Sequence, residues 1–363
     1  MQGLPRLGRA LLAPPRRELR RSPQSEPHAR LPELPSLARH RVQEAHALPE
    51  AERPLHDLPR EVPEVMTVKR SSFGILAAVL ASLAGTAARA EGVVFRFSGA
   101  LYADDKKVKL RAPEGVGCAD DRVVVADSGN ARLVVYRLSE GGVVSPGNPV
   151  KVDAMKYPTR VVLDGSKTAW FLDRKERKIG RVAADGAFKG WLVPKDVPGF
   201  LPTSFVLAKG GGVLALDGSG RAVLDVGEDG AVARRLPLPE GQFTDLAVDA
   251  AGTIFTIDAV TATVFTAGKG DAAFKALTKS LKESMSFPIQ LVSNERGRFY
   301  VVDQNGMGVV VLGNDGSYQG RQLTLGWSEG NLYYPSQLCV TGKGLAAIAD
   351  RGNHRVQVFT TVE

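Results

Sequence analysis

Residues 335 to 359 read PSQLCVTGKGLAAIADRGNHRVQVF: a proline, an apolar run, a Gly-containing turn, a second apolar run closing in Asp350, a polar turn ending in Arg355, and a third apolar run. Residues 113 to 136, PEGVGCADDRVVVADSGNARLVVY, have the same construction. Short apolar runs bounded by turn residues are the mark of strands. The closing Asp recurs at Asp127, Asp173, Asp217, Asp258, Asp303 and Asp350, with spacings of 46, 44, 41, 45 and 47 residues. A period near 45 residues built from short strands is that of propeller blades. The expected fold is all-β: a six-bladed β-propeller of four-stranded blades over residues 91 to 363.

The turns Asp127-Ser-Gly-Asn130-Ala-Arg132 and Asp350-Arg-Gly-Asn353-His-Arg355 are full copies of one motif. With the Pro, the Asp-closed strand and the Arg that opens the next strand, both repeats resemble the NHL repeat, which implies a ring of such blades. Elsewhere the motif departs from the pattern: Lys178 stands for the Arg in blade two, and Ala222, Thr263 and Gly308 in blades three to five. Asn and Gly tolerate the backbone the turn needs, and the Asp carboxylate accepts turn amides or meets Arg132 and Arg355 across the turn. A ring of six carboxylates holding a cation is the functional alternative. Local stabilisation is the expected role, because stacked units repeat their local chemistry.

Asp185-Gly186, Asp229-Gly230 and Asp315-Gly316 are hairpin signals after the third strand and supply a fourth, outermost strand. The last blade runs out at Glu363 after three strands, whereas Val94-Phe95-Arg96-Phe97 precedes the first repeat without a blade of its own. The N-terminal strand is therefore expected to complete the last blade, removing an exposed edge. Cys118 and Cys339 fall on the innermost strands of blades one and six at positions offset by one residue. That offset turns the two thiols either toward each other, giving a disulfide across the closure in an oxidising compartment, or both away.

Residues 1 to 65 hold 11 of the 22 prolines and 11 Arg without an apolar period, composition expected of a disordered or untranslated leader. From Met66 the chain reads as a secretory signal: Lys69 and Arg70, the apolar stretch Phe73 to Ala88, and a small-residue cleavage site at Ala88-Arg89-Ala90. The apolar stretch is shorter than the roughly 20 residues a bilayer core requires. The formal charge of +8 is mostly leader, since residues 91 to 363 carry 33 basic against 30 acidic side chains. A global charge argument for nucleic-acid binding is removed with it.

Only His354 lies beyond the signal, so multi-His metal sites and His-based triads are not available. NHL propellers that act as amidating lyases are similar in fold but rely on a His-ligated metal whose ligands are absent here. Carboxylate chemistry in the axial channel remains open through Asp245, Asp249, Glu295 and Asn294, as a calcium site or a metal-dependent lyase or hydrolase. Two features suggest binding instead. Arg174, Lys175, Arg177, Lys178 and Arg181 crowd the blade-two turn and suit a polyanion or plain solvation. Tyr157, Phe200, Phe287, Trp327, Tyr333 and Tyr334 lead into blades on one face, where aromatics stack on sugars, anchor a peptide or pack between blades. Residues 271 to 286 admit a short helix capped by Asp271, with Phe274, Leu277, Leu281 and Met285 on one face, or a strand and loop. The expected protein is an exported, monomeric, non-enzymatic binding module for a protein or polysaccharide of the envelope, in the periplasm or outside the cell, with no cofactor required.

Overall fold

The computed structural model describes residues 92–139, 142–143 and 145–362; the leader and the signal segment lie outside them. The described chain forms six antiparallel sheets arranged as a six-bladed propeller. Among the described residues there is no α-helix, only 3-10 turns at Ser128–Asn130 and Arg351–Asn353.

The innermost strands are Gly115–Ala119, Pro158–Leu163, Pro202–Leu207, Phe243–Val248, Pro288–Ser293 and Pro335–Val340. Each pairs with a second strand that closes in the repeated Asp: Arg122–Asp127, Ala169–Asp173, Val213–Asp217, Ile254–Asp258, Phe299–Asp303 and Leu345–Asp350. Every residue of these second strands except Arg122 is buried, because each blade is covered on both faces by its neighbours. Six apolar clusters fill the spaces between adjacent blades, one for each neighbouring pair. Burying each Val, Leu or Phe in them contributes about 1.5–3 kcal/mol.

Fourth strands begin at Phe188, Val232 and Tyr318, directly after the three Asp-Gly turns. In blade one the outer position is divided between Gly142–Val143 and Asn148–Val150, both paired with the third strand. In blade six it is filled by Val94–Leu101, antiparallel to Arg355–Val362. Phe95 seats this strand by edge contacts with Tyr300 and Phe359, at 5.9 Å each. On the ring's inner side, Cys118 and Cys339 form a disulfide with Cα atoms 5.8 Å apart, so the thiols face each other across the closure.

The 271–286 segment takes the strand-and-loop alternative. Lys275–Ala276 is a two-residue strand, and Asp271 accepts from Gly268 N (2.8 Å) in a turn rather than capping a helix. Met285 is buried in the cluster between blades four and five, with the half-buried Leu277 and Leu281 packed against it, while Phe274 packs one interface further back.

Candidate ligand-binding face

Inner strands begin, and second strands end, on the same face of the ring, as the pairing of Pro158 with Asp173 and of Pro335 with Asp350 shows. On that face each repeated Asp accepts an amide from the segment leading into its own blade: Arg111, Tyr157, Leu201, Gln242, Phe287 and Tyr333 N donate at 2.7, 2.8, 3.0, 2.8, 2.7 and 2.7 Å. The buried carboxylates therefore set where Tyr157, Phe287 and Tyr333 stand. They also take turn amides, such as Lys175 N and Glu176 N at Asp173 (3.0 Å each). Arg132 and Arg355 meet Asp127 and Asp350 through Nε at 2.7 and 2.8 Å. In blade five, where Gly308 leaves the turn without its Arg, Arg321 arrives from the fourth strand to bond Asp303. Lys178 does not serve blade two this way; its Nζ lies over the Trp191 ring, 5.9 Å from the centroid.

At the axis the second residue after each blade's opening position is Gly115, Arg160, Ser204, Asp245, Gln290 and Gln337. All of these but Gly115 bond through their side chains to other blades. Gln337 Oε1 accepts from Val116 N (2.9 Å) and Val161 N (3.0 Å), and its Nε2 donates to Val161 O (2.9 Å). Gln290 does the same for both main-chain groups of Leu338, at 2.6 and 2.9 Å. Asp245 accepts from Ser204 Oγ, from Leu291 N (2.9 Å) and from Arg160 Nη1 (2.8 Å), while Arg160 Nε donates to Phe205 O (2.7 Å). Burial raises the Asp245 pKa, and the Arg160 guanidinium opposes it.

This polar layer divides the channel into two vestibules. On the face opposite the Asp turns lies one of about 290 Å³, walled by aliphatic side chains and the disulfide. On the Asp-turn face lies one of about 280 Å³, lined by Glu114, Thr159, Thr203, Thr244, Ser336 and the flanking Phe287. Among the described residues no three His, Cys, Asp or Glu side chains converge as metal ligands. Asp245 spends its oxygens on three partners. Asp249 and Asn294 cap turns of the opposite face through Ala251 N and Arg296 N, at 2.9 and 3.1 Å.

At the mouth three blades converge on one carboxylate. Glu114, 5% exposed, accepts from Tyr157 OH (2.8 Å) and Arg174 Nη2 (2.7 Å) and forms an ion pair with Arg351, whose Nε lies 3.2 Å away without hydrogen-bond geometry. Burial and then the bond to Glu114 raise the Tyr157 pKa. Arg174 and Lys175 flank the Tyr157 ring at 5.6 and 5.8 Å from its centroid. On the other side the Tyr333 ring lies against Gly352, next to Arg351. Tyr333 contacts Tyr334 at 4.8 Å and Trp327 at 6.0 Å, and Trp327 is 74% exposed. A strip thus runs across the mouth: Trp327, Tyr333, Arg351, Glu114, Arg174, Tyr157.

The structure splits the residue set read from sequence. Tyr157, Arg174, Lys175, Tyr333, Tyr334 and Trp327 stand on the strip, and Phe287 stands on the vestibule rim. Phe200 packs into the cluster between blades two and three. Arg177 is an exposed residue in a left-handed turn (φ 55°), and Arg181 lies over Trp170, so the cation run is not one patch. Glu114 and Arg351, the hub and its second arm, were not among the residues the repeats singled out. His354 is exposed and accepts from Ala112 N at 2.8 Å, a link between blades six and one.

The NHL repeat profile matches residues 332–359, the last blade. By sequence, no curated protein matches the chain. Among solved structures, virginiamycin B lyase from Staphylococcus aureus is similar at 12% identity and a TM-score of 0.55, over 74% of this chain and 100% of its own. A gluconolactonase from Xanthomonas campestris is similar at 15% identity and 0.55, over 74% and 99%. Regucalcin, a calcium-binding protein from Agrobacterium tumefaciens, is similar at 13% identity and 0.54, over 74% and 96%. At such identities the likeness is one of fold.

Proposed function

We propose that this chain, an NHL-type six-bladed β-propeller, is an exported, non-enzymatic binding module that holds a polymeric or protein ligand of the envelope across the Asp-turn face. The observation that carries this reading is the strip itself: the exposed Trp327 ring, the half-buried Tyr333 and Tyr157 rings and two arginines run across the mouth, with Tyr157 and the arginines gathered by a buried carboxylate. Exposed aromatics beside arginines are the usual anchors of recognition surfaces. The polar layer beneath is spent on joining blades, so the axis offers a rigid floor rather than an assembled set of acid, base and electrophile. The relatives in fold include a lyase and a gluconolactonase by name.

Export rests on the Met66 to Ala90 segment, and no helix among the described residues is long and apolar enough to cross a membrane. The test is cell fractionation followed by affinity capture from a crosslinked envelope fraction, with Trp327→Ala as the control bait. A point change is the right control, because the surrounding loop is structural: Ser328 O and Asn331 O accept from Arg355 at 2.7 and 3.0 Å. Recovery of one species by the wild type and its loss with Trp327→Ala supports the reading; equal recovery by both baits contradicts it.

A further inference from the structure

We infer that the ligand of this mouth is an acidic polysaccharide, a chain of uronate-type sugars, with its carboxylates on Arg174 and Arg351 and a sugar ring on Trp327; this rests on the binding reading above. Glu114 lies between the two arginines, accepting from Nη2 of Arg174 and pairing by charge with Arg351 at 3.2 Å. Their side chains remain 62% and 40% exposed, so the other guanidinium donors point outward, oriented for carboxylates. Two arginines against one Glu leave the hub at net +1, and Lys175 adds a further charge beside Tyr157. Such a site attracts anions arranged along a chain.

The neighbouring surface suits sugars. Trp327 presents a flat, solvent-facing ring with Tyr333 beside it, an apolar face with polar margins. Hydroxyls of Thr159, Thr203 and Ser336 line the vestibule behind the hub, and their internal bonds are long, at 3.4, 3.3 and 3.3–3.4 Å, so they remain ready to bond a polyol. An acidic peptide fits less well. Extended peptides gain affinity by pairing with a free strand edge. Here amides on the channel-facing edges, Val116, Val161, Leu291 and Leu338, are already taken by Gln337, Asp245 and Gln290.

The experiment is calorimetric titration of the protein purified from the envelope with three probes: an oligogalacturonate, a dextran oligomer of equal length, and poly-glutamate. The expected result is binding of oligogalacturonate alone, weakened about tenfold or more by Trp327→Ala and by Arg351→Gln, the latter from loss of charge-assisted bonds. Raising the salt concentration weakens it further. Trp327→Ala alters an exposed side chain, so folding is not at stake in that variant. Equal binding of dextran would overturn the role of charge. Binding of poly-glutamate in place of oligogalacturonate, with the same dependence on Trp327, would overturn the polysaccharide and leave the binding module standing. Binding of none of the three, alongside a Trp327-dependent envelope capture, would do the same; failure of that capture as well would remove both.

Discussion

Gln337 hydrogen-bonds both main-chain groups of Val161, two blades away, accepting from its N–H at 3.0 Å and donating to its C=O at 2.9 Å. The reach is possible because blade one presents glycines at the axis. A Cβ on Gly117 would lie 3.0 Å from Val161 O, and one on Gly115 would lie 2.9 Å from Thr159 O. Gln337→Leu leaves Val116 N, Val161 N and Val161 O buried without partners. The expected loss is about 3 kcal/mol or more, read as a lower urea midpoint. Gly117→Val should also destabilise, by forcing blades one and two apart; unchanged midpoints for both would remove the axial lock.

Asp245 and Arg160 are a buried pair at 2.8 Å. Breaking one partner leaves the other charge uncompensated, so Asp245→Leu and Arg160→Met should each cost about 3–5 kcal/mol. The double variant should cost much less than their sum. A double-mutant cycle by chemical denaturation checks this, and strict additivity would show that the two groups do not act together.

The Cys118–Cys339 bond closes a loop of 221 residues between blades one and six. Cross-linking so long a loop restricts the unfolded chain, and removing it should cost about 2–5 kcal/mol. Cys118→Ala should lower the thermal midpoint in oxidising buffer, whereas adding dithiothreitol should lower the wild type and leave the variant unchanged.

Acid should weaken the ring through particular carboxylates. Burial alone would raise the Asp104 pKa, but the amides of Val108 and Lys106 and the Arg132 guanidinium outweigh it and hold the group below its ordinary value. Asp258 and Asp164 are likewise lowered, against burial, by Thr261 and by Ser166 with Trp170. A depressed pKa in the folded state stabilises at neutral pH. That contribution begins to fade as pH falls past the ordinary carboxylate value of about 4 and is gone below the folded-state pKa. Urea midpoints measured downward from pH 7 should decline in that acid window, and Asp104→Asn should decline less steeply.

The blades were legible in the sequence because each repeats the same apolar runs and the same Asp. Even the closure by Val94–Leu101 follows from counting strands. The axial lock was not legible, because Gly115, Arg160, Ser204, Asp245, Gln290 and Gln337 share a position but, the two Gln apart, no chemistry; their partners are a mixture of main-chain and side-chain groups on other blades. The mouth was half legible. Aromatics leading into blades mark themselves, whereas Glu114 gains meaning only when folding brings Arg174 and Arg351 to it from two other blades, 60 and 237 residues away. Arg321 was hidden for a similar reason, since it replaces a missing turn Arg from a different strand.

The most direct measurement is photocrosslinking in growing cells, with benzoylphenylalanine replacing Trp327 on the strip or Leu207 in the vestibule of the opposite face. An envelope adduct from position 327 and none from 207 is the expected result; an adduct from 207 alone would place the ligand on the other face and contradict the assignment of the binding strip.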